Sequence, residues 1–90
     1  MTISNLTSPK GNKVPNQFII RTPDATYFRS YQSIIVKTTF EDDVKVVYLD
    51  EDKWNYSKTT AQYRNEFLGE TTKETQSKID SGIYRLIDLN

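Results

Sequence analysis

The alternation of apolar and polar positions marks four extended runs, and a spacing of three to four residues marks two helical ones. Gln17–Thr22, QFIIRT, is rich in β-branched and aromatic residues and predicts a strand. Thr22-Pro23-Asp24-Ala25 then predicts a turn, because Pro fixes φ and Asp can bond its own backbone. Tyr27–Phe40 is long for one strand. At period two, Phe28, Ile34, Val36 and Phe40 fall on one face, and Tyr27, Arg29, Tyr31, Ile35 and Lys37 on the other. The first set is the expected core face. Ser30 and Gln32 share it, an uncomfortable placement that suggests a bulge or bend near Tyr31–Ser33, or two short strands. Glu41-Asp42-Asp43 is a polar turn into a third strand, Val44–Leu49, which is apolar on both faces and so expected in the sheet interior. Three strands on short turns make an antiparallel meander.

The helical runs follow. Ser57 is a suitable N-cap, Tyr56 can staple onto Ala61, and Thr60, Tyr63, Arg64, Phe67 and Leu68 share a face that ends at Gly69. Thr71-Thr72-Lys73-Glu74 is a capping box that opens a second helix, which Gly82 ends. Ile79 and Thr75 are its apolar surface, so it is expected to be peripheral. Ile83–Leu89 closes the chain as a strand, apolar on both faces and expected inside the sheet, beside the first or third strand. The expected fold is α+β, β-β-β-α-α-β: an antiparallel sheet of about four strands with two short helices on one face. Residues 1–15, polar and without periodicity, are expected as a flexible or loosely docked arm on a single domain spanning 16–90.

Composition narrows the chemistry. The 90 residues contain no His and no Cys. That removes the usual general base, the thiol nucleophile, disulfides and the commonest zinc ligands. Three scattered glycines form no phosphate-binding loop. A carboxylate-held hard metal remains as a route to catalysis, with Glu41-Asp42-Asp43 and Asp50-Glu51-Asp52 as candidates. Neighbouring residues in a turn point apart, so solvated acidic turns are favoured; no metal, cofactor or catalytic residue is expected. The N-terminus lacks an apolar signal core, and no run has the length for a membrane span. A soluble, cytoplasmic protein with no membrane partner is the expectation.

Formal net charge is zero, but its distribution is uneven. Residues 1–40 carry five basic groups and one acidic group, whereas 41–53 carry six acidic and two basic. Asp42, Asp43, Asp50 and Asp52 would sit at opposite ends of the third strand, about 20 Å apart at the usual rise, and could imitate phosphates for a basic partner. With Trp54 and Tyr56, residue types common at hot spots, they form a candidate protein-binding set. Tyr27, Arg29, Tyr31 and Lys37 interleave aromatics and cations on one strand face, a pattern suited to single-stranded nucleic acid. Ser57, Lys58 and Thr59 at a helix start could attract an anion, although such caps are usually structural.

The runs YFRSYQSII, YLDEDKWNYSKTTAQYRNEFLGE and TKETQSKIDSGIYRLIDLN resemble a family of small proteins of phages and other mobile elements, defined as a domain of unknown function. The resemblance covers roughly residues 16–90. Its most distinctive part is Tyr63-Arg64-Asn65 followed by Phe67-Leu68-Gly69-Glu70. It implies an accessory protein made during infection that binds a host protein, for instance in anti-defence, as anti-CRISPR proteins do. It implies no catalytic residues. Non-enzymatic binding of a host protein is therefore the first expectation, a single-stranded nucleic-acid module the second, and a metal-dependent enzyme the third.

Overall fold

The structure, a computed structural model, describes all 90 residues. Its strands are β1 (Thr2–Thr7), β2 (Lys13–Arg21), β3 (Ala25–Ser30), β4 (Ser33–Glu41), β5 (Val44–Asp50) and β6 (Tyr84–Ile87), with helices α1 (Lys58–Leu68) and α2 (Thr72–Asp80) between β5 and β6. The six strands lie in sequence order in one sheet. The first four pairings are antiparallel and β5–β6 is parallel. The class is α+β, as expected, but the sheet is larger and mixed.

Two additions explain the difference. Residues 1–15, expected as an arm, are β1 and the start of β2. Thr2 to Asn5 pair with Arg21 to Phe18, and Leu6 is buried. Polar side chains do not stop a segment from completing its backbone hydrogen bonds against a neighbouring strand. The long Tyr27–Phe40 run is two strands joined at Tyr31-Gln32, where Tyr31 takes a left-handed φ of 56°. The bulge lies further on than expected. Phe28 pairs with Val36 and Arg29 with Ile34, so Ile35 is the extra residue. Ile35 is fully buried and Ile34 half-buried, which reverses their expected placement. Phe40 keeps the parity of Val36 but, near the end of β4, is 71% exposed. The last strand is an edge, not an interior position, beside β5, because the two-helix crossover returns the chain there.

One sheet face carries the core: Phe28, Val36, Val47, Leu49 and Tyr84, joined by Leu6 and Ile35. Tyr63, Phe67 and Leu68 of α1, Ile79 of α2 and Trp54 pack against it. The Phe28 and Phe67 rings stack with centroids 5.7 Å apart. Ser30, out of place among apolar residues by sequence, shares a hydrogen bond with Thr60 of α1 at 2.9 Å. Gln17, opposite Ser30, is buried and its amide has no protein partner. Helix ends follow the caps. The Ser57 hydroxyl accepts from the Thr60 amide, Gly69 turns the chain at φ 71°, and Thr71 and Glu74 form a reciprocal capping box.

A polar cluster locks α2 to the sheet. The Glu70 side chain, 5% exposed, receives Lys78 Nζ at 2.8 Å and the Tyr84 hydroxyl at 2.6 Å on one oxygen, and the Thr75 hydroxyl on the other. Burial alone would push the Glu70 carboxyl up, but the hydrogen bonds from Lys78, Thr75 and Tyr84 hold it below its ordinary value. A depressed carboxyl stabilises the fold above its unfolded pKa, and that contribution is lost as pH falls through the folded one. Glu70→Gln is therefore expected to be less stable than wild type at neutral pH. The gap should close below about pH 4, the unfolded range of Glu. Urea melts at several pH values check this; a gap independent of pH would contradict it.

Candidate nucleic-acid interface

Both helices pack on one side of the sheet, and the other side carries a chemically distinct line of residues. Strand register sets Ile3, Ile20, Tyr27, Lys37, Tyr48 and Arg85 directly opposite one another across all six strands. Directly opposed residues share a face, so this line runs perpendicular to the strands. Phe18 and Arg29 form the next row, with the Arg29 guanidinium 5.8 Å from the Phe18 ring centre. Tyr27, Arg29, Lys37 and Tyr48 are half-buried by their neighbours, and Arg85 is exposed.

The electrostatics of this face differ from the neutral whole. Arg29, Lys37 and Arg85 lie on it, and Glu41 at the far end of β4 is its acidic counterpart. The Tyr48 ring is flanked by both neighbouring strands' cations, Lys37 at 5.8 Å and Arg85 at 5.9 Å from its centre. Its hydroxyl donates to Glu41. That hydrogen bond, with burial and the Glu41 charge, raises the Tyr48 pKa, while Arg85 opposes the rise. Arrays of ring faces and cations on a sheet suit unstacked bases and their phosphates.

Of the nucleic-acid set expected from sequence, Tyr27, Arg29 and Lys37 come together on this face. Tyr31 does not continue the alternation; it occupies the β3–β4 turn, 45% exposed, with its carbonyl accepting from Arg29 Nε at 2.9 Å. Tyr48 and Arg85 were absent from that set. Alternation along β5 puts Tyr48 on a face, but nothing local says which strand lies alongside. Arg85 is 37 residues away and arrives through the parallel pairing.

The protein-binding set is dispersed. Asp42 and Asp43 form the exposed tip of the β4–β5 hairpin, both with positive φ. Asp52 is exposed at the opposite end of β5. Asp50 must be removed from any surface set. It is 2% exposed, and its carboxylate accepts the backbone amides of Asp52, Lys53 and Leu89 at 2.8–3.2 Å. A strand end leaves amides without partners, and a short carboxylate satisfies them. Trp54 is also committed, packing on the core with its ring 5.1 Å from the Arg64 guanidinium. Tyr56 is 46% exposed beside Lys53. At the expected anion site, the Ser57 hydroxyl is engaged by Thr60, while Lys58 and Thr59 are exposed.

Arg64, central to the Tyr63-Arg64-Asn65 motif, is fully buried. It donates to the Trp54 carbonyl, the Asn55 and Asn65 side chains and the Thr72 hydroxyl, and its Nε has no partner. Burial lowers its pKa, with Glu70 opposing. It is a structural hub between the β5–α1 connection and both helices. No three acidic side chains converge in a metal-binding arrangement, and no helix is long and apolar enough to cross a membrane. A hollow of about 170 Å³ lies between Thr22–Thr26 and Thr38–Phe40, small beside the about 300–1,000 Å³ of typical small-molecule sites.

A protein-family model matches residues 1–82, and the chain belongs to that family, a family of unknown function designated DUF8033. No curated protein and no solved structure matches the chain.

Proposed function

We propose that this member of a family of unknown function is a non-enzymatic binding module whose helix-free sheet face takes single-stranded nucleic acid. The observation that carries the proposal is the line Tyr27–Lys37–Tyr48–Arg85, which alternates two rings with two cations on four adjacent strands. At the usual strand spacing of about 4.8 Å, the two tyrosines stand about 10 Å apart with a cation between them. Bases can stack on the rings while phosphates meet Lys37, Arg85 and Arg29. Local charge, not the zero net charge, governs such contacts at physiological salt, where the screening length is about 8 Å.

Fluorescence anisotropy with a labelled ten-nucleotide oligothymidylate tests it. Wild type is expected to bind with a salt-dependent affinity. Tyr27→Ala should weaken binding by about fivefold or more, the worth of one stacked base. Lys37→Gln should flatten the logarithmic salt dependence by about 0.7, the value of one phosphate on a single strand. Absence of binding at low salt would overturn the proposal.

A second proposal, a host protein as partner, is favoured by the β4–β5 tip. Phe40 and Val44, 71% and 63% exposed, flank the acidic Asp42-Asp43 turn. Large apolar groups held in solvent beside charges suit a protein contact. The setting proposed for it is a phage or mobile element acting in the host cytoplasm, with anti-defence as the role. A stoichiometric protein co-purifying from host lysate, with no nucleic acid bound, would favour this alternative.

A further inference from the structure

We infer that Lys37 and Arg85, flanking Tyr48 on neighbouring strands, form a phosphodiester subsite, and that Glu41 is its built-in competitor. The inference rests on the proposed nucleic-acid role of this face and names the phosphate contact and what opposes it. Register places the three residues side by side on β4, β5 and β6. Both cations lie within 6 Å of the Tyr48 ring centre. Glu41 reaches the same spot from the end of β4. It accepts the Tyr48 hydroxyl and lies 4.0 Å from Arg85, whose Nη1 is also 3.5 Å from that hydroxyl. Its carboxylate occupies the position a phosphate oxygen would take: an anion accepting from Tyr48 and facing Arg85.

Such a competitor is displaceable. The Arg85 and Glu41 side chains are 59% and 48% exposed, and pairs of this kind are weak because solvent screens them. An incoming phosphate carries the same charge and gains Lys37 as well. Glu41 therefore sets a threshold: isolated anions gain little over it, whereas a strand that also stacks on Tyr27 displaces it. The positive φ of the adjoining Asp42 and Asp43 makes a tight turn that returns the chain at once to β5, and so keeps the Glu41 carboxylate near the subsite.

The test is a mutant cycle read by anisotropy with the same oligothymidylate and with an abasic phosphodiester of equal length. Glu41→Gln is expected to tighten oligothymidylate binding about two- to fivefold, the worth of an exposed pair. Asp43→Asn, the same charge change two residues away, should have a smaller effect. In an Arg85→Gln background the gain from Glu41→Gln should largely vanish, and the salt dependence should flatten. Equal tightening by Glu41→Gln and Asp43→Asn, or a gain unaffected by Arg85→Gln, would overturn the inference even where the oligonucleotide binds. If the abasic strand binds as tightly as oligothymidylate, base stacking and the threshold that Glu41 sets are both overturned. If wild type binds neither, the proposed function and the subsite fall together.

Discussion

Arg64→Ala is expected to cost about 3–5 kcal/mol, the usual range for removing a large buried side chain. That is a large share of the roughly 5–15 kcal/mol that holds a domain together. The arginine fills the space between Trp54 and the two helices, and it donates to four acceptors on three segments. Loss of the guanidinium removes the donor to the Trp54 carbonyl and the Asn55 side chain, and leaves the Thr72 hydroxyl with the Asn65 amide alone. Arg64→Lys separates charge from shape. It keeps the cation but loses the planar fork that reaches Asn55, Asn65 and Thr72 at once, so it should also cost about 2 kcal/mol or more, in line with hydrogen bonds from charged donors. Urea denaturation reads both effects as a fall in midpoint. Arg64→Lys at the wild-type midpoint would show that the fork is not what holds these segments.

Asp50→Ala is the second large effect. Three backbone amides, those of Asp52, Lys53 and Leu89, lose their acceptor together. The three bonds are partly buried, so water relieves part of the about 1–3 kcal/mol that each fully buried unpaired donor would cost, and a loss of about 3 kcal/mol is expected. Amide hydrogen exchange should quicken first at Lys53 and Leu89. This outcome also separates two roles for the residue. A surface carboxylate presented to a partner would leave the midpoint unchanged when substituted, and that result would return Asp50 to the binding surface.

Local chemistry made the helices legible. Ser57, Gly69 and the Thr71–Glu74 box act within a few residues of themselves, and each takes its expected place. Strands depend on partners distant in sequence, and there the pattern was a weaker guide. β1 has one buried side chain, Leu6, so no apolar alternation announces it. The bulge at Ile35 moved one residue's side chain across the sheet without altering composition. Ile34 and Ile35 are chemically alike, so their exchange of faces could not be read from identity. Ile83–Leu89, apolar on both faces, reads as an interior strand; as the edge strand β6 it leaves Leu86 and Ile87 exposed, with Ile83 exposed just ahead of it.

The candidate site was legible in half. Tyr27, Arg29 and Lys37 alternate along one run of chain, and period two alone puts Tyr27 and Arg29 together. Lys37 joins them because it pairs with Tyr27 across β3 and β4. Tyr48 and Arg85 required the register of β5 and the parallel return of β6, which no local pattern encodes. Arg64 falls on the expected helix face with Thr60, Tyr63, Phe67 and Leu68, and is buried there. A cation at a helical spacing among Tyr63, Phe67 and Leu68 was itself a sign of burial, since a charge on an apolar stripe must find acceptors within the fold.

Binding on the helix-free face, as proposed, would leave a residue-level signature. Titration of the ¹⁵N-labelled protein with the unlabelled oligothymidylate, followed by amide chemical shifts, tests it most directly. Shifts centred on Tyr27, Arg29, Lys37, Tyr48 and Arg85 are expected, with α1 and α2 unmoved. Shifts centred on the helices or on the β4–β5 tip, or none at saturating oligonucleotide, would contradict it.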